Sequence, residues 1–219
     1  MNIKTDLVVS NSRLQTLNRG YFYYWSKYIA KTIDQDQTDA MMFGSAMHCF
    51  ILEPEKFDTE YAVAPKVDKR TKIGKETWAA FVEANGSKII LTEAQAETLA
   101  AMKQSIDVNA ESTKVLNEAT HTEKQYEFIY GGYNFTCKLD VINTEGNIIT
   151  DVKKTANLYP DKVLTSDLVK YGAMSQCFLY KTAYEQNYME ECDYQWLVCN
   201  DKEPFESKVI EIERAAEFG

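Results

Sequence analysis

The chain has 219 residues, 45% of them hydrophobic, and a formal net charge of −9. That length allows one substantial core, no apolar run approaches membrane-spanning length, and the acidic balance excludes a surface coated in phosphate-binding groups while leaving room for a local basic lining. Met1–Asp6 lacks the basic-then-apolar pattern of a secretory signal, and Cys49, Cys137, Cys177, Cys192 and Cys199 form no close pair, so the expectation is reduced thiols in a cytoplasmic protein without membrane contact.

In chain order, Asn11-Ser12-Arg13-Leu14 reads as a helix start, with a short polar cap ahead of Leu14 and Leu17. The aromatic run Tyr21–Trp25, followed by Tyr28, predicts a helix continuing through Ile33; its rings suit helix packing and, less commonly, base stacking. Thr38-Asp39 caps a helix from Ala40 to Leu52, stopped by Glu53-Pro54, with Gly44, Ala46 and Met47 allowing close packing and His48 among apolar neighbours. Tyr61–Ala64 reads as a short strand. The most basic stretch follows, with Lys66, Lys69, Arg70, Lys72 and Lys75 between Pro65 and Gly74, a pattern that predicts a loop. Helices are expected from Glu76 to Glu83 and from Thr92 to Glu118, the second broken near Asp107–Asn109 and opened by a Thr92/Gln95 capping box.

The period then changes. Glu123–Tyr130 alternates as a strand, Gly131-Gly132 turns, and Asn134–Ile142 and Ile148–Lys153 form a hairpin around Asn143–Asn147. Side chains alternate along a strand, so Asp151 and Lys153 share one face with Val152 turned into the core, and the hairpin can bring Asp140 beside them. Two carboxylates and an ammonium converging at a sheet edge can hold a divalent cation and position a water. Asp161–Asn187 is helical in two pieces, with Gln176 and Tyr180 on one face. Asp193–Asn200 and Glu206–Glu213 close the chain as a strand pair. The expected fold is α/β (α+β): a central mixed sheet flanked by helices, in one domain over 1–219, mainly helical over 1–120 and sheet-bearing over 121–219.

The sequence of polar positions resembles a known family. Gly44-Ser45-Ala46-Met47-His48, Leu52-Glu53-Pro54, Arg70-Thr71-Lys72, Glu123, Cys137-Lys138-Leu139-Asp140, Asp151-Val152-Lys153 and Gln176-x-x-x-Tyr180 occur in this order. Together they look like the nuclease domain of RecE-type exonucleases, within the PD-(D/E)XK group that includes the RecB nuclease domain and lambda-type exonuclease. The resemblance implies that Asp140 and Asp151 bind metal, that His48 helps to ligate or orient it, and that Val152 contributes its carbonyl. It further implies that Lys153 positions or activates the attacking water, and that Gln176 and Tyr180 contact the DNA backbone or support the ligands. Glu123 matches an additional acidic position. Lys138 stands where arginine is more usual, so its phosphate contact would be a point charge. Lys69, Arg70, Lys72 and Lys75 are the expected DNA grip.

What the resemblance implies as a whole is a Mg²⁺-dependent deoxyribonuclease, with Mn²⁺ able to substitute. It would digest double-stranded DNA ends processively from 5′ to 3′ in a ring-shaped homo-oligomer. The 3′ tails would pass to a single-strand annealing protein or recombinase of RecT type, in phage-type recombination within a bacterial host cytoplasm. One alternative is a nuclease of Cas4 or AddB type, but no cysteine group suited to an iron–sulfur cluster is present and none is expected. The other is a catalytically idle DNA-binding or assembly protein that keeps the fold.

Overall fold

The structure, a computed structural model, describes residues 8–33, 38–159, 166, 168–170 and 172–212. Short helices α1 (Asn11–Leu17) and α2 (Tyr21–Tyr24) come first, α2 running on into a π-helical turn over Trp25–Ile29. The Ser10 hydroxyl caps α1 by accepting from the Arg13 N–H, and the Thr38 hydroxyl caps α3 (Asp39–Leu52) by accepting from Met41. Pro54, expected only to stop α3, also starts α4 (Pro54–Glu60): a proline at the first helical turn forfeits no hydrogen bond.

Strand β1 (Tyr61–Val63) pairs in parallel with β2 (Ile89–Leu91), a three-residue strand too short to leave a periodic signal. Between them, α5 spans Lys72–Asn85 and begins earlier than expected. Gly74 lies inside it, not in a loop. It is buried, and a Cβ there would run into the Asp68 carbonyl oxygen, so this glycine serves close backbone approach. Gly44 in α3, by contrast, faces open space and is not a packing glycine. The Thr92/Gln95 capping box opens α6 (Glu93–Val108), and Asn109 ends it while capping α7 (Ala110–Asn117), placing the break where the sequence indicates.

The main sheet has five strands in the order β3-β4-β5-β6-β7: β3 (His121–Tyr130), β4 (Tyr133–Asn143), β5 (Ile148–Thr155), β6 (Asp193–Asn200) and β7 (Ser207–Glu211). All neighbours are antiparallel except β5 and β6, which are parallel and joined through α8 (Ala173–Tyr188). A parallel pair needs such a crossover. The first part of the expected helical stretch from Asp161 to Asn187 lies largely outside the described residues.

Each sheet face has its own core. Tyr126, Phe135, Leu139, Ile142, Ile149, Tyr194 and Trp196 pack with Cys177, Ala183 and Tyr184 of α8. Val141, Val152, Leu197 and Cys199 pack on the other face with Ala46 and Met47 of α3 and Leu99, Met102 and Ile106 of α6. The result is a mixed α+β fold with helices on both sides of a mixed sheet.

Candidate active site

The strand register aligns three acids in one row. On β3 and β4, Thr122 faces Val141 and Lys124 faces Leu139, which puts Glu123 opposite Asp140. On β4 and β5, Val141 faces Thr150, so the next position sets Asp140 opposite Asp151. The row reads Glu123, Asp140, Asp151.

At this row the ladder opens. The β4–β5 pairing stops at Val141–Thr150, and the Val152 N–H donates instead to the Asp140 Oδ2 at 2.8 Å. Alternation slips here as well. Leu139 belongs to the α8-side core and Val141, two residues on, to the opposite one, whereas a regular strand would put both on one face. Next door, Glu123 adopts φ +49°, a left-handed conformation that costs a non-glycine residue on the order of 1 kcal/mol. The two irregularities let carboxylates turn into the opening without shifting the register of β3 and β4. Asp140 and Asp151 are both buried.

His48 reaches this opening from α3, where neighbouring Ala46 and Met47 are buried against the sheet. Its Nδ1 lies 3.0 Å from Glu123 Oε1 and 3.7 Å from Asp140 Oδ1, and its Nε2 lies 3.1 Å from the Val152 carbonyl oxygen. Facing acceptors on both sides, the ring is placed as an imidazolium while no cation is bound, and it would give up a proton to ligate one. Burial opposes that charge, but Asp140, Glu123 and Asp151 outweigh it and hold the His48 pKa up at about 9. Burial lifts the Asp140 carboxyl to about 7; His48 pulls it down and the Asp151 charge pushes it up again. Glu123 goes the other way. Burial works against its ionisation, yet hydrogen bonds with His48 and Lys138 keep it below its ordinary value.

One ligand atom each from His48, Glu123 and Asp140 lies within 4.8 Å of the others, a group able to hold a metal ion. The donor set suits a divalent cation. A Glu123 oxygen and a His48 nitrogen converge on Asp140, a buried acid whose ionisation is held back, and a cation among the three would favour that ionisation. Asp151 stands beside this trio. Its Oδ2 has the Lys153 charge 2.8 Å away but, among the described residues, no aligned hydrogen-bond donor. The Val152 carbonyl, directed toward His48, retains one lone pair.

Lys153 shares Asp151's face of β5, as alternation requires. Its Nζ donates to Asp151 Oδ1 at 3.0 Å and to Gln176 Oε1 at 2.8 Å. The Gln176 amide nitrogen donates to Asp151 Oδ1 at 3.2 Å and to the Tyr180 hydroxyl at 2.7 Å. One turn of α8 therefore fixes the amide so that its oxygen meets the ammonium and its nitrogen meets the acid. Burial keeps the Tyr180 phenol protonated, well above its ordinary value.

The remaining sequence candidates lie outside the trio. Lys138 is ion-paired with Glu123, half-exposed at the rim of the opening. Arg70 forms a two-pronged pair with Asp68 at 3.0 Å, Lys69 lies over the Trp78 ring at 3.0 Å, and Lys72 is 3.9 Å from Glu76. Lys69 and Arg70 precede α5, Lys72 opens it and Lys75 lies in its first turn; all four are exposed, and none is among the residues bonded to the acid cluster. The central place of Glu123 leaves no sign in its own strand. The signal available is positional: counting registers outward from the two hairpins aligns it with Asp140.

Comparison with known proteins adds two findings. The family described as "PDDEXK-like domain of unknown function" (DUF3799) matches residues 10–217. The chain is also similar to a crystal structure of a protein from Eubacterium rectale named "Putative exonuclease", with a TM-score of 0.67 and 15% identity, covering 95% of this chain and 73% of that one. At that identity the likeness shows the fold alone. No curated protein matches the chain.

Proposed function

The chain belongs to the PDDEXK-like family, and from that membership and the geometry of its acid–lysine site we propose that it is a metal-dependent deoxyribonuclease. The observation that carries this reading is the opened row Glu123–Asp140–Asp151 with Lys153 held against it by Gln176. A structural sheet has no need to break its ladder around buried acids, whereas a hydrolytic site does need converging oxygens beside a mobile proton donor.

In this reading His48, Glu123 and Asp140 would hold a Mg²⁺ or Mn²⁺ ion, with Asp151 and the Val152 carbonyl beside them. Such an ion would supply Lewis acidity. Lys153 donates to the attacking water or to charge developing on the phosphorus oxygens. Asp151 fixes the ammonium from one side and Gln176 from the other, and Tyr180 fixes Gln176. Lys138 at the rim, and Lys69, Arg70, Lys72 and Lys75 around the start of α5, meet the phosphate backbone, with Lys138, Arg70 and Lys72 exchanging their present acidic partners for it.

The finer proposal is an exonuclease that enters linear duplex DNA at its ends and digests processively from 5′ to 3′. It would work as a ring-shaped oligomer in the bacterial cytoplasm and hand 3′ tails to an annealing protein of RecT type. Among the described residues, no helix is long and apolar enough to cross a membrane. Digestion of linear duplex labelled at either end, beside a closed circle and with or without Mg²⁺, tests this mode. Early release of the 5′ label with the circle intact supports it. Nicking of the circle at the same rate would replace it with endonuclease action.

A further inference from the structure

The N-terminal helices carry a charge pattern unlike the rest of the protein. From Val8 to Ile33 the sequence holds four cations, Arg13, Arg19, Lys27 and Lys31, and no acid, in a chain with 33 acidic and 24 basic residues. On α2 and the π-helical turn, Tyr24 and Ser26 point inward and are buried. Tyr21, Phe22, Trp25 and Ile29 point outward, with 74%, 76%, 39% and 47% of their surface exposed. A cluster of large apolar side chains this exposed marks a contact surface.

Rings on that face pair with one another, and neighbouring rings of the same helices carry cations. Phe22 and Trp25 stack with centroids 6.0 Å apart and planes inclined by 23°. Arg19 lies 3.9 Å over the Tyr23 ring and donates to its hydroxyl at 2.8 Å, and Lys27 lies 5.3 Å over the Tyr28 ring. The wide turn, closed by Ala30 N–H to the Trp25 carbonyl at 2.8 Å, keeps Ile29 on Trp25's side.

Helix α1, which leads into that face, packs on the end of α8 that carries Gln176. Gln15 of α1 donates to Ser175 Oγ at 2.7 Å, and Ser175 donates to Asn11 at 2.9 Å. Ser175 is the residue before Gln176. A Cβ at Gly172, where the chain enters α8 with φ +76°, would meet the Gln15 amide, so the fit of α1 on this end of α8 is close.

We propose that Tyr21, Phe22 and Trp25, with Arg19 and Lys27 beside them, form a stacking platform for single-stranded nucleic acid running to or from the acid site. This rests on the nuclease reading above and adds to it the form of nucleic acid that is gripped. Duplex DNA hides the faces of its bases except at its ends. An unpaired strand offers every base to an aromatic ring and every phosphate to a cation, and stacking is indifferent to sequence. The cations sit over rings of the same helices, which matches a ligand that alternates flat apolar faces with negative charge.

The test uses the full chain in EDTA and a fluorescein-labelled oligothymidylate, read by anisotropy. Phe22→Ala/Trp25→Ala should weaken binding at least about tenfold, two stacking contacts being removed, while Phe22→Tyr/Trp25→Tyr keeps most of it. In a Trp78→Phe background, which leaves Trp25 and the buried Trp196, oligothymidylate should quench emission, and Trp25→Tyr in that background should abolish the quench. Metal-supported hydrolysis of bis(p-nitrophenyl) phosphate, too small to span both places, should be unchanged in the alanine pair. Unchanged oligothymidylate affinity in that pair overturns the platform. So does loss of anionic-vesicle binding or of self-association in sedimentation while oligothymidylate binding persists. A wild type that hydrolyses neither DNA nor the small diester defeats the nuclease reading instead, and the binding comparison still decides the platform.

Discussion

Lys153 and Gln176 are joined by a 2.8 Å hydrogen bond from ammonium to amide oxygen, and through it a helix sets the position of a strand's charge. The Tyr180 hydroxyl accepts from the same amide at 2.7 Å, so a phenol one turn along α8 helps to hold the amide. Tyr180→Phe removes that acceptor and loosens Gln176, which keeps its bonds to Lys153 and Asp151. We expect turnover to fall about ten- to hundredfold, as when other outer partners of a metal site are removed, with metal-induced thermal stabilisation retained. Gln176→Glu should be tolerated better than Gln176→Ala, because a carboxylate still accepts from Lys153. Equal activity in Tyr180→Phe and wild type would show that the amide is held by something else.

Glu123 separates metal binding from chemistry in a different way. Glu123→Gln keeps shape and hydrogen bonding but removes a charge from the trio with His48 and Asp140. The concentration of Mn²⁺ giving half-maximal thermal stabilisation should rise, by about tenfold or more, while activity at saturating Mn²⁺ recovers. An unchanged midpoint would place the cation away from Glu123.

The acid cluster also predicts how metal-free protein responds to pH. Asp140 is held at about 7, above its unfolded value, so its ionisation costs stability as pH rises from about 4 to 7. His48 is held at about 9, so its pairing stabilises fully below about 6.5 and is lost as pH rises toward 9. Glu123 lies below its ordinary value, and its contribution is complete above about 4.5. In chelator, Tm should therefore fall between pH 6 and 8.5, and saturating Mn²⁺ should flatten that fall. A Tm that rises across this span in chelator contradicts the assignment.

The approach of Gly74 to Asp68 bears on the basic segment. A methyl at Gly74 collides with the Asp68 carbonyl, so Gly74→Ala should cost about 1–3 kcal/mol and shift the start of α5. Arg70→Ala/Lys72→Ala touches only exposed groups and should leave Tm nearly unchanged. Duplex affinity should drop for every sequence, with a shallower salt dependence. An unchanged salt slope would put the DNA path elsewhere.

The hairpins were the most legible part of the fold. Alternation in Glu123–Tyr130, the Gly131-Gly132 turn and the Asn143–Asn147 turn mark β3, β4 and β5, and the Thr92/Gln95 box marks α6. Lys153, Gln176 and Tyr180 were legible as neighbours because period two places one beside Asp151 and helical period places the others together. The slip at Asp140 and the left-handed turn at Glu123 leave no mark in residue type, since both conformations are imposed by the surroundings. Gly74 carries the opposite lesson: its composition indicates a loop, yet its lack of a Cβ serves packing inside a helix. Likewise Pro54 reads as a stop and acts as a start.

The most direct test of the central claim is cleavage of linear duplex DNA in Mg²⁺ or Mn²⁺ by wild type and Asp140→Asn, both verified as folded by thermal denaturation. Wild type should digest the DNA only with metal present, and the variant should lose about a thousandfold or more in rate, the scale of several kcal/mol of charge stabilisation. Asp140→Asn should remain at least as stable as wild type in chelator, because it removes a buried carboxyl whose ionisation is unfavourable. Digestion by the variant at the wild-type rate, or by wild type undiminished in chelator, would contradict the account.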